Sequence, residues 1–177
     1  MTVLLGDKSR FAAGVGEREH ALRRVDLWAA RQWLTCDDNM AFAGQFRSDV
    51  VDTVAWLRSG ACSPLPFDGL SPEATHRRLM HRAGGDDETA EEYRFRSRFR
   101  VLSWGPTTDN VTAHLFRDAD HLVLTLQFRR EEHLVRHPDH AGKVFVAEVQ
   151  TEEFVGILED LAAVLDGSHD PGPPLSG

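Results

Sequence analysis

The chain has 177 residues, 41% hydrophobic and 27% charged, with a net charge of −8 when histidine is neutral. That length and ordinary composition point to one domain with a sizeable core, and the negative balance argues against non-specific nucleic-acid binding, which needs Lys and Arg to displace counterions from phosphates. The start, MTVLLGDKSRF, lacks a basic segment followed by a long apolar run, and no window approaches the roughly 18 apolar residues of a spanning helix, so the chain reads as cytoplasmic and without membrane contact.

Val3-Leu4-Leu5 is a short apolar run stopped by the turn residues Gly6-Asp7-Lys8, and Phe11 to Val15 is a second extended segment. Val25 to Thr35 reads as a pair of short strands or one bent strand, with Trp28 and Trp33 as sheet anchors, closed by the turn residues Cys36-Asp37-Asp38-Asn39. From Gly44 the period changes. Phe46, Val50, Val54 and Leu57 make the apolar stripe of an amphipathic helix that ends before Ser59-Gly60. A second helix starts at Ser71 as N-cap, with Pro72 at the first helical position and Glu73 complementing the dipole. It runs to about Arg82, stops at Gly84-Gly85, and buries Leu79 and Met80.

The segment 88–102 fits two templates. As a strand it sets Tyr93, Phe95, Ser97, Phe99 and Val101 against four arginines. As a helix it has Phe95, Phe99 and Leu102 in one stripe and places acids before arginines, as the macrodipole favours. The helix is preferred, with Glu92 pairing Arg96 at i, i+4.

Val111 to Phe128 is a hairpin broken at Asp118-Ala119-Asp120. Leu122, Leu124, Leu126 and Phe128 make one apolar face, while the face of Val123, Thr125 and Gln127 turns polar toward its end. A charged connection containing Pro138 runs from Arg130 to Gly142, followed by a strand from Lys143 to Val149. Thr151 caps a last helix whose stripe is Phe154, Leu158, Leu161 and Leu165, and Gly167 ends it. The expected architecture is α+β: an antiparallel sheet with a C-terminal three-strand meander, packed by two to four α-helices including the C-terminal amphipathic one. Residues 1–166 form one domain and 167–177 a flexible Pro/Gly-rich tail.

Chemistry is sparse. G-x-S-x-G and the phosphate-binding glycine motifs are missing. Two cysteines, Cys36 and Cys62, are too few for a disulfide framework and read as free thiols; the acids after Cys36 raise its thiol pKa and make it a poor nucleophile. His133, His137 and His140 stand at i, i+4 and i+7, a spacing that can bring imidazoles to a metal, but Pro138 interrupts the helix and H-E-x-x-H is absent, so they read first as a polar loop. Asp37-Asp38 and Asp118 with Asp120 are paired carboxylates at turn positions. Arg94, Arg96, Arg98 and Arg100 pair internally with neighbouring acids. The stretch leading to the hairpin, Trp104-Gly105-Pro106-Thr107-Thr108-Asp109-Asn110, carries more polar groups than a turn requires, which makes it a candidate site.

Several of these segments resemble small bacterial immunity proteins of polymorphic toxin systems, in particular their forty-second immunity group. The matching residues are Gly6-Asp7-Lys8-Ser9-Arg10-Phe11-Ala12, the aromatic pair followed by Phe46-Arg47-Ser48-Asp49-Val50, Pro106-x-x-Asp109-Asn110-Val111, and the strand Val144 to Val149 leading to Phe154, Leu158 and Leu161. Asp26 to Asn39 lacks the glycines expected there, and the tail has no counterpart. The resemblance implies an α+β protein that binds and neutralises a cognate toxin without catalysis. An acidic, motif-poor chain suits an inhibitor that covers a basic toxin domain encoded nearby. Candidate contacts are Asp37, Asp38, Glu152, Glu153, Glu159 and Asp160, with Trp104, Thr107, Thr108, Asp109 and Asn110 of the central loop. No cofactor is expected, and the chain is a monomer or homodimer. The alternatives are a small enzyme or metal module on His133, His137 and His140, and a structural or regulatory homodimer paired through its hairpin strands.

Overall fold

A computed structural model describes residues 2–81 and 88–167. Among them are two antiparallel sheets and five α-helices, the α+β class expected. The N-terminal sheet runs β1 (Val3–Asp7), β2 (Phe11–Glu19), β3 (Leu22–Ala29), β4 (Gln32–Trp33), with β5 (Met40–Phe42) also on β3. Tight turns hold it together. Ser9 donates its backbone N–H and its hydroxyl to Asp7 Oδ1, and Gly6 has φ of +82° in space where a Cβ would meet Phe11 O at 2.5 Å. The turn between β3 and β4 is Ala30-Arg31, with φ of +50° and +64°. Two positive φ values match the strand twist, but this turn lacks the Asn-Gly signature that would have marked it.

The C-terminal sheet is ordered β6 (Arg100–Val101), β7 (Val111–Asp118), β8 (His121–Phe128), β9 (Phe145–Gln150). Its last three strands are the predicted meander, in full register from Val111↔Phe128 to Asp118↔His121. Between and beside the sheets lie α1 (Ala43–Arg58), α2 (Pro72–Met80), α3 (Ala90–Ser97), α4 (Glu131–Arg136) and α5 (Thr151–Leu165). One apolar cluster joins Phe11 and Leu27 of the first sheet, Leu122, Leu124 and Leu126 of the second, Phe46 and Val50 of α1, and Phe154, Leu158 and Leu161 of α5. Phe11 meets Phe154 edge-on at 4.7 Å. The predicted stripes of α1 and α5 therefore do their packing, in a core shared by two sheets where one was expected.

The other face of the second sheet is covered as well. Leu79 of α2, Phe99, Phe116 and Val123 form a second buried cluster, so β8 packs on both faces; the second face turns polar at Thr125, which is buried, and at Gln127, which is half-buried. Local departures have local causes. Helix α2 ends at Met80 with His81 as C-cap, so it stops short of Arg82; Leu79 is buried but Met80 is exposed, and the predicted stop at Gly84-Gly85 lies outside the described residues. The 88–102 segment is divided between its two templates: α3 covers Ala90–Ser97 and β6 covers Arg100–Val101. Glu92 closes a capping box with Thr89, and Arg96 bonds Glu88 at 2.6 Å instead of Glu92. Helix α4 lies in what reads as a charged connection. Thr151 is the first residue of α5, with Gln150 at the cap position, and its hydroxyl is buried without a hydrogen bond. Gly167 follows α5 at φ +78°; the rest of the tail lies outside the described residues.

Candidate functional site

A cleft of about 560 Å³ opens between the loop that follows β4 and helix α4, lined among others by Trp33, Cys36, Asp37, Asp38, His133 and Arg136. The loop is held from beneath by β3. Leu34 N donates to Leu27 O at 2.8 Å and Leu27 N donates to Thr35 Oγ1 at 3.3 Å. Asp26, only 3% exposed, accepts Trp33 Nε1 at 2.9 Å and Asn39 Nδ2 at 2.8 Å on one oxygen and Arg24 Nε at 3.1 Å on the other. A buried carboxylate needs such donors to offset its lost hydration. Both ends of the loop are thereby tied to one side chain.

Helix α4 is tied to the loop by two arginines. Arg130 donates to Asp38 Oδ2 and to Pro106 O, each at 3.1 Å, and Arg136 donates to Asp37 Oδ2 at 2.6 Å. The bond to Asp37 raises the Arg136 pKa above its usual value. On the inner side of α4 the His133 ring stacks on Phe128 at 3.9 Å and 9°. The rings of His137 and His140 lie 4.8 and 5.2 Å from it, and His133 Nε2 is 3.0 Å from His140 Nδ1. Burial, and after it the neighbouring imidazoles, lower the His133 pKa; burial is also the main cause lowering that of His140. The three histidines thus do come together, by stacking. Among the described residues no group of three or more His, Cys, Asp or Glu side chains is arranged to hold a metal ion.

Cys36 sits at the floor of the cleft with φ +50°. Its Sγ accepts from Asn110 Nδ2 at 2.9 Å, donates to Trp33 O at 3.1 Å and lies 3.7 Å from His133 Nδ1. Burial, then the Asp37 charge, raises its pKa. Both cysteines are free.

Two of the predicted groups meet here. Asp37-Asp38 and the 104–110 loop share Arg130, and Asn110 lines the cleft. Within the loop, however, Trp104, Thr107, Thr108 and Asn110 are buried. Thr108 Oγ1 accepts Trp104 N at 2.9 Å and donates to Gly105 O at 3.0 Å, Trp104 Nε1 donates to Thr53 Oγ1 at 3.0 Å, and Asn110 Nδ2 donates to Leu34 O at 3.2 Å. Trp104, Thr108 and Asn110 therefore anchor a one-turn 3₁₀ segment, while the Thr107 hydroxyl is buried without a hydrogen bond. Asp109 is exposed and bonded to Arg129. Glu152, Glu153, Glu159 and Asp160 lie on α5 away from the cleft lining; Glu153 pairs with Arg10 at 2.8 Å and Glu159 with Arg58 at 2.7 Å. Asp26 and the contact of Cys36 with His133, 97 positions apart, have no counterpart in the sequence reading. For Asp26 a signal existed, an acid inside the apolar run of β3.

No family model and no curated protein sequence matches the chain, so the resemblance to the forty-second immunity group is not carried by a family match. In three dimensions the chain is similar to CdiI from Burkholderia dolosa AUO158, whose crystal structure superposes with a TM-score of 0.59 over 92% of this chain and 99% of that one, at 15% sequence identity. The shared property is the fold. No helix among the described residues is long and apolar enough to cross a membrane.

Proposed function

We propose that this protein binds and neutralises a cognate toxin, as an immunity protein does, without catalysing a reaction. The observation that carries the reading is the fold likeness to a CdiI, an immunity protein of a contact-dependent inhibition toxin system, over nearly the whole of both chains. The cleft and its rim are the proposed contact surface, with Asp37, Asp38 and Asp109 offering exposed carboxylates and Trp33 an exposed aromatic edge, the residue types that steer and anchor protein partners. A net charge of −8 suits a basic partner encoded nearby.

Co-expression with the product of the adjacent gene tests this. A one-to-one complex is expected, weakening as salt rises because exposed charges are screened. Asp38→Lys should weaken binding roughly tenfold or more, on the scale of a charge reversal at an interface, while Asp160→Lys on α5 should change it by less than about twofold. Failure of the neighbour to bind removes the function; the reverse order of the two variants moves the contact surface to α5.

A further inference from the structure

Cys36 brings nucleophilic chemistry to the cleft, and it stands in a chain of polar groups. Its sulfur is 3.7 Å from His133 Nδ1, whose other nitrogen is 3.0 Å from His140 Nδ1. In the tautomer in which His133 donates Nε2–H to His140, its Nδ1 carries a lone pair facing the sulfur and is a base toward Cys36. Phe128 holds the ring in place by stacking. Asn110 donates to the sulfur at 2.9 Å and stabilises charge developing there. The acids that follow Cys36 are turned onto arginines, Asp37 onto Arg136 and Asp38 onto Arg130. The cleft of about 560 Å³ gives a small molecule access.

We propose that Cys36 and His133 form a nucleophile–base pair that makes Cys36 a site of thiol–disulfide exchange with low-molecular-weight disulfides. The Cys36 S–H, which donates to Trp33 O at 3.1 Å, turns to His133 Nδ1 and gives up its proton there while the sulfur electron pair forms a bond to one sulfur of the reagent. The reagent's S–S bond breaks and its second sulfur leaves as a thiolate, so Cys36 is oxidised to a mixed disulfide and the departing half is reduced. Because burial and Asp37 keep the thiol protonated, a base acting during attack is the route, in place of a standing thiolate. This inference is independent of the toxin-binding reading.

The native protein with both cysteines is treated with dithiodipyridine, thione release is followed by absorbance, and the adduct is located by peptide mass mapping. The first equivalent should go to Cys36, because Cys62 is buried, with its pKa pushed up to about 11. The rate against pH should level off once His133 is neutral, below the ordinary imidazole value of 6.5, since burial, His137, His140 and Arg136 all favour its neutral form. In His133→Phe, which keeps a ring on Phe128, the rate at pH 7 should fall roughly tenfold or more, toward the lower end of what a positioned base contributes. It should then climb without a plateau toward alkaline pH. Where that variant disturbs the fold by circular dichroism, His133→Gln replaces it. Modification of Cys62 first, or equal rates and pH profiles with and without the imidazole, overturns the proposal.

Discussion

His76 and His114 face each other in the second core, with Nδ1 atoms 3.1 Å apart, rings edge-on at 4.5 Å, and Thr125 Oγ1 2.9 Å from His76 Nδ1. They are 0% and 2% exposed. Two nitrogens at that distance share one proton, which excludes both rings being charged, and burial disfavours a charge on either. Burial pushes His76 down to about 4, and burial with the neighbouring imidazole pushes His114 down to about 3. The unfolded chain takes up these protons near 6.5, so below that value it binds more protons than the folded state. Stability from the pair is complete above about 6.5 and is lost as pH falls toward 4. Urea titrations should show a loss of about 2 kcal/mol for each ring between pH 7 and pH 5, and His114→Phe should remove roughly half of that pH dependence. The sequence offers no link between the two, 38 positions apart, because they meet only once α2 has packed on the face of the second sheet.

At the scale of elements, the loop between β4 and β5 is anchored to β3, by Asp26 from beneath and by its own Thr35, which accepts the Leu27 N–H. Its composition, Cys36-Asp37-Asp38-Asn39, marked a turn, and the apolar residues of Val25 to Thr35 marked a bent strand or a pair of short ones. The anchoring of one by the other depends on a side chain of the strand pointing under the loop. Asp26→Ala leaves Trp33 Nε1, Asn39 Nδ2 and Arg24 without their acceptor. A cost of about 2–4 kcal/mol is expected in denaturant unfolding. Hydrogen exchange should accelerate at amides 33–39 while those of β7 and β8 stay protected. Uniform acceleration of both would show that the loop is not held locally.

On the scale of the whole molecule, α1 and α5 connect the sheets. Leu124 lies in the cluster they share and is fully buried, so Leu124→Ala should cost about 2–5 kcal/mol. Residues 1–166 are expected to unfold as one unit, with near- and far-ultraviolet circular dichroism giving coincident transitions in wild type and variant. Separate transitions would make the first sheet a domain of its own. The fold likeness to CdiI covers 92% of this chain.

The amino-acid sequence by itself determined the local periods and stops: the hairpin of Val111 to Phe128, the stripes of α1 and α5, the Ser71 cap, and the α+β class that follows from their order. Those features depend on neighbours a few residues apart, and side-chain alternation and capping chemistry report them directly. Only the tertiary structure decided that two sheets share one core, that Thr107, Thr108 and Asn110 of the 104–110 loop turn inward, and that Cys36, Asn110 and His133 meet. Such contacts are chosen by the burial of whole faces, and a side chain's partner across 97 positions is set by how those faces close on each other, which no local pattern encodes.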